Sequence, residues 1–273
     1  FKGVNPMTQL NTLTISLLQM DIQIGDPDAN FEHLNRLLHE AVRAPAKPDV
    51  ILFPEMWNTG YALEHIHELA DQAGARTKAF ISAFAKEHGV HIIAGSIADK
   101  QDGLVRNTIY AFNRDGEVAG DYSKIHLFRL MEEEKFLSSG EQVGKLDLEG
   151  VPAGMMICYD IRFPELSRRL ALDGAQIVFV PAEWPHPRLH HWRTLLMARA
   201  IENQMYVVAC NRVGKSGNTE FFGHSMIINP WGEVLAEGGE NEEILQASIE
   251  LSEVERVRRT IPIFEDRRPQ LYE

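Results

Sequence analysis

The chain has 273 residues, 44% of them hydrophobic, which is enough for one large domain with a substantial core; its two cysteines are too few for a disulfide framework. A formal net charge of −12, from 39 acidic against 27 basic residues, argues against nucleic acid as a partner, because phosphate binding needs a basic surface. No apolar stretch reaches the length that spans a bilayer and no secretory signal is visible, so a cytoplasmic protein without a membrane partner is expected.

Residues 1–6 fit no element and are read as a cloning remnant ahead of Met7. No low-complexity segment or Gly/Ser linker divides residues 7–273, which are taken as one domain. Residues 14–20 alternate apolar and polar and read as a strand. Asp26 and Pro27 then form a helix entry, N-cap and first position. Phe31, Leu34, Leu37, Leu38, Ala41 and Val42 share one helical face, and Pro45 and Pro48 end the helix. The wholly apolar run 50–53 reads as a strand buried on both faces, closed by Pro54-Glu55. A helix over 77–88 stops at Gly89, and a strand follows at 90–94. Segments 104–112 and 117–122 flank Asn113-Arg114-Asp115-Gly116 as a hairpin. Next come the strand that leads to Cys158, a helix at 164–172 and a strand at 177–180. A long helix at 190–203 and a strand at 206–210 follow. Segments 225–228 and 233–236 make a second hairpin around Asn229-Pro230-Trp231-Gly232. A strand at 244–249 and a charged helix at 253–259 close the chain.

Alternating strands and helices with inserted hairpins imply an α/β layered architecture with mixed sheets. Leu52-Phe53-Pro54-Glu55-Met56-Trp57 is echoed by Val178-Phe179-Val180-Pro181-Ala182-Glu183-Trp184, which suits two related βαβ halves packed sheet to sheet.

Three strand ends each carry one chemically useful side chain: Glu55, Lys124 and Cys158. Ligands of α/β sheets gather at such ends. A thiol is mostly protonated at neutral pH and needs a base or a nearby cation to attack. Glu55 is suited to take its proton. Lys124 is suited to stabilise the thiolate and then the oxyanion formed at an attacked carbonyl, with the Tyr159 N–H as a second donor. Cys210 lies inside an apolar strand and reads as packing. Eleven histidines raise the question of a metal. Pro187 interrupts the helical spacing that His186, His190 and His191 would need, so that cluster reads as a helix entry and no metal is expected. His126 and His224 are read as hydrogen-bonding groups inside the fold.

These segments resemble the Glu–Lys–Cys triad of the nitrilase, or carbon–nitrogen hydrolase, superfamily. The similarity runs from about Leu13 to Tyr272. It rests on Leu52-Phe53-Pro54-Glu55, Tyr122-Ser123-Lys124-Ile125-His126-Leu127 and Cys158-Tyr159-Asp160-Ile161-Arg162-Phe163-Pro164-Glu165. Ala198-Arg199-Ala200-Ile201-Glu202-Asn203-Gln204, Gly223-His224-Ser225 and Asn229-Pro230-Trp231-Gly232 follow in family order. The resemblance implies a four-layer αββα sandwich with two mixed sheets, paired into a homodimer that the C-terminal strand and tail help to form. It implies Glu55 as general base, Lys124 as oxyanion stabiliser and Cys158 as nucleophile, with no cofactor. It also implies a second glutamate near the thiol. Glu132, Glu133 and Glu134 are available, and the family pattern counted back from Ser139-Gly140 points to Glu133.

Within the superfamily the Cys158 segment and Glu183-Trp184-Pro185 look closest to the ω-amidase branch. That implies hydrolysis of the terminal amide of a small oxo acid such as 2-oxoglutaramate, through a thioester and with release of ammonia. Nitrile hydrolysis, N-carbamoyl amino acid hydrolysis and acyl transfer are the alternatives. A half-amide of this kind needs a cation for its free carboxylate. Arg162 is the first candidate, with an ion pair to Asp160 or Glu165 as its structural alternative; Arg129 and Arg188 rank below it. Tyr61 and Trp184 are expected to line the pocket.

Overall fold

The computed structural model describes residues 11–272; the readings on residues 1–6 and on Met7 lie outside them. The first half of the chain contributes β1 (Thr12–Gln19), β2 (Val50–Leu52), β3 (Asp71–Gln72), β4 (His91–Ile93), β5 (Ile97–Gln101), β6 (Leu104–Phe112) and β7 (Val118–Ser123). The second half contributes β8 (Gly144–Leu148), β9 (Val151–Met155), β10 (Ile177–Ala182) and β11 (Tyr206–Asn211). A ribbon of β12 (Val213–Ser216) and β13 (Thr219–Phe222) follows, then β14 (Met226–Ile228), β15 (Val234–Glu237) and β16 (Glu243–Glu250).

Two mixed sheets result. One has the order β16-β1-β2-β4-β6-β5-β3 with β7 on β6; the other has the order β15-β14-β11-β10-β9-β8. β1, β2 and β4 run parallel, as do β9, β10 and β11, while the hairpins add antiparallel strands at the flanks. Alternation along the strands decides the layers. Ile15 and Leu17 of β1, Val50 and Leu52 of β2 and Ile93 of β4 face the second sheet and join Phe179, Val208 and Ile227 in one core. Their neighbours Leu18, Ile51 and Ile92 turn the other way, onto helices. Each fully buried Leu or Ile stabilises the fold by about 1.5–3 kcal/mol.

The helix Pro27–Val42 lays Phe31, Leu34, Leu38 and Ala41 on that outer face. Asp26 caps it as expected, its Oδ1 accepting the Ala29 N–H at 3.0 Å. The helix Ala75–His88 covers the same face and ends at Gly89, whose φ of 60° is the left-handed turn that glycine tolerates. The helices Pro164–Leu172 and Leu189–Asn203 pack against the strands of the second sheet, Leu170 and Leu196 joining their core. The layers are therefore α, β, β, α.

Four features escape the sequence reading. β3, β5, β8 and the β12–β13 ribbon are short or half polar: Ile97–Gln101 is apolar only at its start, and the ribbon turns around Gly217 among polar residues. The strand expected at 177–180 runs on to Ala182 through Pro181. Its pairing with β9 has already ended at Phe179, so a residue without an N–H is tolerated there.

Candidate active site

Cys158 opens a short 3-10 turn, Cys158–Arg162, directly past β9, with a φ of 44°. Left-handed backbone is strained for any residue with a side chain. Asp160 holds it. Its Oδ2 accepts the Ile157 N–H at 2.8 Å and the Tyr122 hydroxyl at 2.7 Å, and its Oδ1 lies 2.8 Å from the His126 ring. Tyr122 and His126 flank Lys124, so one buried carboxylate ties the thiol's turn to the strand end that carries the lysine. The His126 ring also stacks on Phe163 at 3.6 Å. His224 likewise bonds internally, to Glu237 at 2.8 Å.

Glu55, 69 residues away from Lys124 in sequence, meets Lys124 and Glu133 here, and all three are fully buried. The Lys124 ammonium donates to Glu55 Oε1 at 2.8 Å and to Glu133 Oε1 at 2.9 Å. Glu55 Oε1 also accepts from Tyr61 at 2.6 Å and from Asn107 Nδ2 at 2.8 Å; Glu55 Oε2 accepts the Glu183 N–H at 2.9 Å. Glu133 Oε2 accepts the Phe128 N–H at 3.1 Å. Glu132 and Glu134 are exposed, and Glu132 pairs with Lys135. Two glycines make the approach possible. A Cβ at Gly95 would stand 2.2 Å from the Pro54 carbonyl, and one at Gly140 would stand 2.1 Å from the Ser123 carbonyl. Both lock the backbone next to a site residue.

Electrostatics sorts the two carboxyls. Burial alone would raise Glu55, but the Lys124 charge and the bonds from Lys124 and Tyr61 outweigh it and hold Glu55 below the usual carboxylate value. Burial raises Glu133; Lys124 opposes that and the Glu55 charge reinforces it, leaving Glu133 above its ordinary value. The Tyr61 hydroxyl lies 2.6 Å from one carboxyl and 2.7 Å from the other, yet it has one hydrogen. It therefore serves one carboxyl at a time, and the opposite shifts of Glu55 and Glu133 make Glu133 the readier of the two to hold a proton. Burial pushes the Cys158 thiol well up, the Glu55 charge adds to this, and Lys124 opposes it. The resting sulfur is therefore a neutral thiol beside an ionised carboxylate, not a preformed thiolate.

Cys158 lies on a narrow pocket lined also by Tyr61, Phe128, Met131, Tyr159, Arg162, Glu183, Trp184, Pro185 and Arg188. Tyr61 and Trp184, expected to line the pocket, are among these residues, with Tyr159 and Arg162 beside them, although the Tyr61 hydroxyl is already engaged by the two glutamates. Arg162 lies over the Trp184 ring at 4.7 Å, with Nη2 3.3 Å from His191. Among the described residues neither Arg162 nor Arg188 pairs with a carboxylate; Asp160, one expected partner of Arg162, instead binds Tyr122, His126 and the Ile157 N–H. Arg188 shares the pocket; Arg129 does not. The histidine segment bends at 186–187 and enters the helix Leu189–Asn203, and no group of three metal-binding side chains occurs among the described residues. Cys210 is buried in β11, its thiol donating to the Leu18 carbonyl at 3.3 Å.

Sequence reasoning passed over Asn107 and Glu183. An asparagine inside the apolar run of β6 was the signal for the first. The echo between the two Pro/Glu/Trp strand ends was the signal for the second.

A layered sandwich with a thiol, a lysine and two buried glutamates at one strand-end pocket defines a class of enzymes that cleave carbon–nitrogen bonds. The family model for carbon–nitrogen hydrolases matches residues 14–259, and the chain belongs to that family. It is 47% identical over 259 residues to the 2-oxoglutaramate amidase of Bacillus subtilis (strain 168), covering 95% of this chain and 99% of the relative. It is 32% identical to the Homo sapiens omega-amidase NIT2, covering 96% and 98%. The crystal structure of a carbon–nitrogen hydrolase from Helicobacter pylori G27 superposes with a TM-score of 0.90 at 29% identity, covering 96% of this chain and 97% of that one.

Proposed function

We propose that the protein hydrolyses the terminal amide of a small 2-oxo acid, of the 2-oxoglutaramate kind, through a thioester on Cys158. The observation that carries this reading is the pocket itself, where a thiol beside an ionised glutamate shares one small space with two unpaired guanidinium groups. The names of the amidase relatives support the substrate class.

The reaction starts with Glu55 taking the Cys158 proton as sulfur attacks the amide carbon. Lys124 and the Tyr159 N–H hold the oxyanion in a site closed to bulk water, where such donors act most strongly. The C–N bond breaks as Glu55 returns the proton to nitrogen, and ammonia leaves. Water, deprotonated by Glu55, attacks the thioester, the C–S bond breaks, and the thiol and the free acid are restored. Glu133, bound to Tyr61 and Lys124, keeps the lysine in place. Arg162, with Arg188 behind it, receives the substrate's own carboxylate.

Ammonia release from 2-oxoglutaramate by the wild-type protein, absent in Cys158→Ala, is the expected result. Turnover confined to a nitrile, an N-carbamoyl amino acid or an amine acceptor in the same panel would overturn the substrate class. We place the reaction in the cytoplasm and in a homodimer. Exposed Ile261, Leu271 and Tyr272 near the C-terminus support the pairing, and light scattering reads it directly.

A further inference from the structure

We infer that Glu183 reads the 2-oxo group of the substrate, its neutral carboxyl donating a hydrogen bond to the ketone oxygen. The inference rests on the amidase reading above and adds to it a specificity-determining residue outside the Glu–Lys–Cys set.

Glu183 follows β10 and is 1% exposed, yet it lines the pocket that holds Cys158. Its N–H donates to Glu55 Oε2, which fixes it beside the base. Glu55 has partners on both oxygens, whereas Glu183 is half empty. Its Oε1 accepts from Arg212 Nη1 at 3.3 Å, and its buried Oε2 has no partner among the described residues. Buried polar atoms are nearly always bonded, so an empty one beside a thiol is a place kept for a ligand.

Two influences compete for the Glu183 proton: burial favours the neutral carboxyl, and the buried ion pair with Arg212 at 3.3 Å opposes it. Arg212 makes shorter contacts elsewhere, 2.9 Å to Asp21 Oδ1 and 2.8 Å to the Ile22 carbonyl. The ionised Glu55 is adjacent, and burial pushes the Glu183 carboxyl up to about 8. With Oε1 turned toward an N–H donor, the proton sits on Oε2, which becomes an O–H without an acceptor. The guanidinium groups of Arg162 and Arg188, which line the same pocket without a carboxylate partner among the described residues, are donors as well. Donors gathered at this end of the pocket fit a ligand end made of acceptors: a carboxylate with a ketone next to it. An ammonium in place of the ketone would bring a third cation and no acceptor, so a 2-amino acid amide is excluded by the same arrangement.

The test is binding to Cys158→Ala, which cannot turn over, by calorimetry with 2-oxoglutaramate and with glutaramate, the same chain lacking the ketone. The expected result is about tenfold tighter binding of the ketone ligand, the worth of one buried hydrogen bond. Adding Glu183→Gln, which keeps a neutral donor, retains the preference. Adding Glu183→Met, of similar size without polar atoms, brings the ratio to about one. Equal binding by the parent, a preference that survives in the Met variant, or a preference lost in the Gln variant overturns the assignment; the last would mean that the carboxyl works ionised. If the Met variant does not fold, the parent and the Gln variant decide between them. Failure of the parent to bind either amide overturns the amidase reading itself, and the inference with it.

Discussion

The second sheet places two cysteines on strands that flank the same neighbour. Cys158 stands just past β9 and Cys210 lies within β11, with β10 between them. Both are buried, and burial pushes both thiols above the ordinary cysteine value. Ionisation at rest therefore does not tell the reactive thiol from the inert one. What differs is the company. Cys210 has the Leu18 carbonyl and Ser225 around it, neither of which takes a proton. Cys158 has Glu55 and Lys124, a backbone twisted into left-handed space, and an open side on a pocket. A base within reach and room for a carbonyl make a nucleophile, even from a thiol that keeps its proton until the substrate arrives.

Three changes at the reactive thiol and its lysine break or sharpen that contrast. Cys158→Ala removes the sulfur that forms the thioester, and steady-state ammonia release should fall by more than about four orders of magnitude. Cys158→Gly should be equally inactive yet melt higher than the alanine variant, by the equivalent of about 1 kcal/mol, because glycine accepts the positive φ without strain. A lower melting point for the glycine variant would show that the turn is not strained. Lys124→Ala removes an oxyanion donor, and kcat should drop by about two to three orders of magnitude. It also leaves Glu55 and Glu133 without their cation, so urea unfolding at neutral pH should show a loss of about 3–5 kcal/mol that shrinks as the pH is lowered and the carboxyls take up protons.

Glu183 gives a pH signature. Its carboxyl sits near 8 in the fold against 4.5 as a free group. The native state then holds a proton that the unfolded chain releases. This contribution to stability is full below about pH 4.5 and is lost as the pH rises through 8. Glu183→Gln lacks the titration, so its melting point relative to wild type should climb between pH 5 and pH 9. A constant difference would mean that Glu183 is ionised throughout. The smallest effect belongs to the inert thiol: Cys210→Ser keeps a hydroxyl for the Leu18 carbonyl and should retain most activity, at a cost in stability of about 1 kcal/mol.

The long periodic elements were legible in the residues. The helix from Asp26 to Val42 announced itself by cap, apolar stripe and prolines, and the helix from Pro164 to Leu172 by its first proline. β5 and β8 were not legible, because their stability comes from neighbours rather than from their own pattern. Glu55, Lys124 and Cys158 could be proposed as partners from motif and strand-end position. Asn107, Glu183 and the raised proton affinity of Glu133 could not, since each depends on Glu55, which stands 52 residues from Asn107 and 128 from Glu183 along the chain.

By itself, then, the order of residues determined the class of fold and the identity of the reactive groups, because periodicity and strand-end chemistry are local. Only the folded arrangement decided which glutamate is pushed below its ordinary value, which is pushed above it, and which arginines have no carboxylate partner. Those properties come from burial and from charges a few ångströms apart, and both exist only once the two sheets have closed on each other.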